Sequence, residues 1–373
     1  MLKILDKYII RKFLSTFFFM LGVIMLLAMV FDISERMSEF IQNDASLYQI
    51  IVGYYLNFIV YYGNTFSPLI VFISVIWFTA KLAQDTEIIP MLNSGKPFNR
   101  ILRPYFIAAT ILMLLSLVLN HMILPNSNRQ RLDFEERYYR VGLVVENYQA
   151  EYPNNEFVHY DQYIAEGNLF SNFEILKYNK NDELIGYLRA RNTMIDTVKG
   201  TWKLLDFFER RVTPPSSKKN AIGEMELEFK NDFIREGRVL DTNFQFSLKD
   251  IAIRDNTVEA MGYSELTSFI AKEKAKGNPN VPNFEIELYQ RTSFPFATYV
   301  LTLIAVSVSS RKKRGGIGVN LAIGFVFVFI YIFAMKVTTV AAIKIGFPPI
   351  AAVWIPNVFF GLIGYVLYRY APK

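Results

Sequence analysis

No cysteine occurs in the chain, so neither a disulfide framework nor a thiolate metal site is available, and any extracytoplasmic domain must stand on its core alone. Histidine is nearly as scarce. His121, at the end of an apolar run, and His159, in a strand-like run, are the only two, too few for a His-based metal site or a catalytic triad. The phosphate-cradling pattern GxxxxGK[ST] is also missing: Gly95-Lys96 lacks the upstream glycine and is followed by Pro97, so the chain is not expected to hydrolyse ATP itself. No acidic pair has spacing that marks a general acid and base. These absences point away from an enzyme, and neither a cofactor nor a metal is expected.

What the chain has in quantity is apolar sequence. Of its 373 residues 52% are hydrophobic, and the mean hydropathy is +0.21. That is too apolar for a typical soluble protein and too polar for one that is membrane throughout, so a mixture of spans and a sizeable polar domain is expected. The net charge of +6 could suggest nucleic acid, but the positive charge sits beside apolar runs and reads as membrane topology.

A helix crossing ~30 Å of hydrocarbon needs about 20 mainly apolar residues. Six stretches qualify: Phe13 to Ile33, Phe66 to Leu82, Ile101 to Leu124, Thr292 to Ser310, Gly316 to Val340 and Pro348 to Leu367. The first is too long for a signal peptide and lacks a cleavage site, so it reads as a retained span. It follows an amphipathic opening, with Leu2, Leu5, Tyr8 and Ile9 on one face and Lys3, Lys7 and Arg11 largely on the other, as in an interfacial helix. The uncharged stretch from Ser46 to Ala80 would reach about 50 Å as one helix, so Gly63-Asn64 and Pro68 are expected breaks. Charge decides the count. Lys3, Lys7, Arg11 and Lys12, then Lys81, Lys96, Arg100 and Arg103, then Arg311 to Arg314, and finally Arg369 and Lys373 all fall on one side if there are six crossings. Seven would divide them. The rule that basic loops stay inside then puts both termini in the cytoplasm.

Between the third and fourth spans lies a polar stretch of roughly 165 residues, long enough for a domain. From about Phe134 to Glu259 it favours strands. Phe157 to Asp161, Phe173 to Tyr178, Leu184 to Arg189, Thr201 to Leu204, Met225 to Phe229 and Phe244 to Phe246 are short β-prone runs, with turn signals such as Pro153 to Asn155, Glu166 to Asn168 and Asn179 to Asp182 between them. Even spacing suggests a sandwich or jelly roll, with either a filled core or a groove that holds lipid chains. A helix then starts at Ser264 and ends at Gly277 and Pro279. The expected fold class is an α-helical membrane protein of six transmembrane helices with an inserted all-β, jelly-roll-like domain. Residues 1–124 hold the interfacial helix and spans one to three, 125–285 the β domain and its connecting helix, and 286–373 the last three spans.

The segment between the second and third spans, AQDTEIIPMLNSGKP, has the signals of one short helix over residues 85–96. Asp85 or Thr86 can cap it, Glu87 suits its positive end, and Gly95-Lys96-Pro97 stops it. Ile88, Met91 and Leu92 form an apolar i, i+3, i+4 group. Such a helix either docks into a partner's groove or simply connects two spans.

With these features the chain resembles the LptF/LptG family of lipopolysaccharide-export permeases over nearly its whole length. LDKYIIRKFLSTF is similar to the family's opening and AQDTEIIPMLNSGKP to its coupling helix. Glu287, Arg291 and Pro295 match the approach to its fourth span, and Gly346, Pro349, Trp354, Pro356 and Asn357 match its last. The resemblance implies a transport permease of the bacterial inner membrane that extracts lipopolysaccharide from the outer leaflet. It further implies a cytoplasmic ATPase dimer, a second permease subunit of the same or paralogous type, a single-span periplasmic LptC-like subunit and a periplasmic bridge of further jelly rolls, with no nucleic acid. Glu87, Ile88, Met91, Leu92 and Gly95 would then couple to the ATPase.

Two departures stand out. Pro90 falls in or just beyond the first turn of the coupling helix, where a missing N–H distorts it. The outer end of the first span reads Phe31-Asp32-Ile33, where family members commonly carry a basic residue for lipid phosphate. Arg36 and Lys336 are the nearest substitutes, to be weighed against simple snorkelling. A membrane-anchored sensor or scaffold is the alternative function. An ion-coupled transporter would need buried ionisable groups deep in its spans, and Lys336 is the only one there.

Overall fold

The computed structural model describes residues 3–87, 98–138, 144–152, 155–164, 167–196, 200–212, 216–219, 225–228, 232–244, 255–310 and 316–370. The chain divides into two compact units. One comprises Met1–Tyr139, Val258–Thr267 and Pro282–Lys373, the other Arg140–Thr257 and Ser268–Val281.

In chain order the long helices are α1 (Ile4–Gln42), α2 (Gln49–Gln84), α3 (Phe98–Tyr138), the short α4 (Tyr263–Ala275), α5 (Val281–Ser309), α6 (Gly316–Ile345) and α7 (Pro349–Arg369). Among the described residues six of them, all but α4, are long and apolar enough to cross a membrane. Hydrocarbon offers the backbone no hydrogen bonds, so such segments must satisfy their own N–H and C=O groups as helices. At the start of α1 the Lys3 N–H donates to the Asp6 carboxylate at 2.9 Å. At the other extreme Gly346, with φ 69°, stops α6, and Pro349 opens α7 at a position where its missing N–H costs nothing.

Two expectations about breaks are corrected. Gly63, Asn64 and Pro68 all lie within α2, which runs unbroken from a π-helical turn at Gln49–Tyr55. The amphipathic opening likewise continues into the first span as one helix of 39 residues. The third helix also runs past its apolar stretch. It passes through a second π-helical turn at Leu119–Ile123 and stays helical to Tyr138, where strands had been expected from about Phe134.

The helical unit is packed around α2 and α5. Phe78 stacks on Tyr105 with ring centroids 5.3 Å apart, Phe13 closes on Phe78 at 5.6 Å, and all three side chains are buried. A Cβ on Gly324 of α6 would run into Ile76 and Phe72 of α2, so this glycine sets how closely the two helices approach. By contrast α1 and α6 keep broad apolar faces uncovered, including Phe19, Leu26 and Phe31 on the former and Phe329 and Phe333 on the latter.

The second unit is built on an antiparallel sheet of β1 (Val144–Tyr152), β2 (Glu156–Ile164), β3 (Leu169–Tyr178), β4 (Leu184–Asp196), β5 (Thr201–Arg211) and β8 (Phe233–Thr242), paired in that order. A separate hairpin joins β6 (Ser216–Lys219) to β7 (Met225–Glu228). Phe157 to Asp161 falls in β2, Phe173 to Tyr178 in β3, Leu184 to Arg189 in β4 and Thr201 to Leu204 in β5. Gln245 and Phe246 lie outside the described residues. One face buries Tyr160, Phe170, Phe173, Leu204 and Trp202. Simple alternation would not place Phe170 and Phe173 together. Asn172 between them has φ 49°, an irregularity that turns both rings inward, and Asp206 at φ 50° does the same for Leu204 and Phe207.

Candidate functional site

Two places in the helical unit carry the residues the sequence singled out. The first is where α2 ends. The Asp85 N–H donates to the Lys81 carbonyl at 2.8 Å, Thr86 takes φ 61°, and the Glu87 N–H returns to the Leu82 carbonyl at 2.9 Å. Asp85 and Thr86 thus terminate α2, and the short helix they were expected to cap lies outside the described residues. Glu87 is held against the start of α1: its carboxylate accepts from the Tyr8 hydroxyl at 2.9 Å, and that hydroxyl accepts from Lys12 Nζ at 2.9 Å. Two turns of chemistry are fixed at this end, because Asp6, whose side chain is buried, also takes a two-pronged bond from Arg100 of α3 at 2.6 and 2.8 Å. Ile88, Met91, Leu92, Gly95 and Pro90 lie outside the described residues, as does the basic run 311–314.

The second place involves the far half of α1. Asp32, noted as a departure, accepts from the Tyr54 and Tyr55 hydroxyls of the π-helical turn at 3.2 and 3.0 Å and from Arg36 Nε at 3.1 Å. Arg36 also reaches Glu39 at 3.8 Å. Its charge is therefore shared between two carboxylates, which leaves it less to offer a lipid phosphate. Lys336 differs. Its side chain is exposed, and among the described residues it makes no hydrogen bond or ion pair.

Lys336 lines a cavity of about 500 Å³ bounded by α2, α3, α5, α6 and Glu259, the last in the 3₁₀ turn Asp255–Ala260. A charged network frames one end. Arg291, itself buried, donates to Glu287 at 3.1 Å and to the Met261 and Val258 carbonyls at 2.7 and 2.9 Å, clasping that turn to α5. Arg131 pairs with Glu135 at 2.5 Å, lies 3.7 Å from Glu259, and covers the Tyr61 ring at 4.4 Å. Burial pushes the Glu259 carboxyl above the usual carboxylate range, and the nearby charge of Glu287 adds to it. Behind these, Asn64 donates to Asn120 at 3.1 Å and accepts from Ser116 at 2.8 Å. The π-helical turn of α3 carries Asn120 to the cavity wall.

Sequence reading missed this network, because its members come from four separated segments and no spacing links them. Among the described residues no group of three or more His, Asp or Glu is placed to hold a metal ion.

The residues matched to the family's last spans are structural. Asn357 of α7 accepts from the Tyr331 hydroxyl at 2.8 Å and donates to the Ser293 carbonyl at 3.0 Å, tying α5, α6 and α7 in their buried core. No curated protein matches the chain. The family model described as lipopolysaccharide export system permease LptF/LptG matches residues 7–370. Six apolar helices, an inserted sheet and a match along nearly the whole length lead to one conclusion: the chain belongs to the LptF/LptG family of lipopolysaccharide export permeases, multi-pass proteins of the inner membrane.

Proposed function

We propose that the chain is one permease subunit of an ABC exporter that draws lipopolysaccharide from the outer leaflet of the inner membrane, powered by a separate cytoplasmic ATPase dimer. The observation that carries this reading is the pair of uncovered apolar faces on α1 and α6. These two helices are the least buried of the six spans, beside a core packed on α2 and α5, and a bundle that only anchors a domain has no need of such faces. A permease that encloses lipid with a second subunit, a copy or a paralogue, does. Lipid enters sideways between them, and residues 1–124 and 286–373 move it while 125–285 receive it for an LptC-like subunit and the periplasmic bridge. Lys336 meets a lipid phosphate, and Arg36 stays with its acidic neighbours as a weaker second contact.

The energy enters at the other end. The segment over residues 85–96 docks on the ATPase through Glu87, Ile88, Met91, Leu92 and Gly95, and the bond from Tyr8 to Glu87 links any displacement of that segment to α1. Positive-inside placement supports this orientation, with both termini and this segment in the cytoplasm.

The test is affinity purification from detergent, probed for an ATPase subunit and for bound lipopolysaccharide. Both should be recovered. Glu87→Arg should release the ATPase, while Tyr8→Phe, which removes only the hydrogen bond, should retain it and lower export. Recovery of the full complex with Glu87→Arg, at normal export, would remove Glu87 from the mechanism.

A further inference from the structure

The cavity beside Lys336 is graded from polar to apolar in the same direction on three helices. Along α2 its lining passes from Tyr61 and Asn64 to Phe66 and Leu69, and along α5 from Glu287 and Arg291 to Leu301. α6 runs the opposite way and shows the opposite order, Val328 before Lys336. The eight helical steps from Val328 to Lys336 span about 12 Å. A second cavity, of about 490 Å³, is lined only by apolar side chains and shares Leu69, Val328 and Ile332 with the first. The space therefore continues as an apolar groove along α6, open on the side away from Leu69 of α2. This is the polarity profile of a single membrane lipid standing upright.

The charges are also divided. At the framed end three carboxylates, Glu135, Glu259 and Glu287, face two guanidinium groups, Arg131 and Arg291, and Arg291 is further committed to two carbonyls. Among the described residues these carboxylates outnumber the guanidinium groups by one, and the burial of Glu259 beside Glu287 makes a charge there costly unless a cation joins them. Lys336, by contrast, is a positive charge without a partner among the described residues. A ligand with one cationic and one anionic group answers both. A headgroup carrying only phosphate and sugar answers only Lys336 and adds a negative charge beside the carboxylates. The volume also suits one headgroup and the start of its chains rather than a glycolipid with many.

We propose that this cavity is a binding site for a zwitterionic glycerophospholipid with a primary-amine headgroup, its ammonium between Glu259 and Glu287 and its phosphate on Lys336. The headgroup end is lined by residues of one chain, and the apolar end opens onto the uncovered face of α6 at Phe329. The site depends on the helices spanning a membrane and not on lipopolysaccharide being the cargo. Lys336 serves the phosphate of either lipid.

The test is native mass spectrometry of the full chain in detergent, titrated with phosphatidylethanolamine, phosphatidylglycerol and lipopolysaccharide. The unaltered chain should retain phosphatidylethanolamine in preference to phosphatidylglycerol of the same acyl chains. Glu259→Gln, which keeps size, should weaken phosphatidylethanolamine by about tenfold, the effect of losing a charge-assisted hydrogen bond, and leave phosphatidylglycerol and lipopolysaccharide unchanged. Lys336→Ala should weaken both phospholipids. Equal retention of the two phospholipids by the unaltered chain, or equal retention of phosphatidylethanolamine with Glu259→Gln, would overturn the proposal. Absence of lipopolysaccharide binding would instead count against the export reading and leave this site standing.

Discussion

Single side chains in this protein do two kinds of work, and their partners tell them apart. Arg291, Asn357, Asp6 and Arg100 are each engaged in buried or half-buried bonds that join separate segments of the chain. Removing one member strands the others in a medium that cannot solvate them. Arg291→Ala should therefore lower stability by about 3–5 kcal/mol, as expected when one side of a buried charge pair is deleted, measured by equilibrium unfolding in mixed micelles. The half-exposed Arg100 gives a smaller effect. Arg100→Ala should lower stability by less than Arg291→Ala does, and the swap of Asp6→Arg with Arg100→Asp should recover part of the loss. A swap no better than the sum of its single changes would show that the pair is not coupled. Lys336 belongs to the other kind, and Lys336→Ala should leave the unfolding midpoint unchanged while lowering recovered lipid.

At the scale of elements, the helices are governed by what the membrane withholds. Gly63, Asn64 and Pro68 carry the signals that end a helix in water, yet α2 continues through them. In hydrocarbon a broken helix exposes backbone groups with no water to bond them, and Asn64 is occupied laterally by Asn120 and Ser116. The spans were legible because apolar length and basic flanks are strong, local signals. Most strands were legible from β-branched and aromatic runs. The inward turn of both Phe170 and Phe173 was not, since it depends on Asn172 adopting a positive φ. The charged frame of the cavity was not either, because Arg131, Glu259 and Glu287 meet only after three separate segments pack. Close approach at Gly324 is an element-scale prediction. Gly324→Leu should separate α6 from α2, lower the thermal unfolding temperature in detergent and reduce export, whereas Gly318→Ala, where nothing lies within 4 Å of the added carbon, should be silent. In the second unit, Trp202→Ala should cost about 3–5 kcal/mol by emptying the centre of its aromatic cluster.

For the molecule as a whole, everything proposed about energy and direction rests on orientation. In the proposed orientation the six crossings put both ends on the same side and the basic clusters in the cytoplasm, so that the segment around Glu87 faces ATP and the sheet faces away. The chain contains no cysteine, so single reporters can be placed without clearing a background. Lys96→Cys and, separately, Lys203→Cys, whose side chain is exposed on β5, should be treated in intact spheroplasts with a membrane-impermeant maleimide. The prediction is immediate labelling at position 203 and labelling at position 96 only after lysis. Labelling of position 96 from outside intact cells would contradict ATP-driven export by this chain.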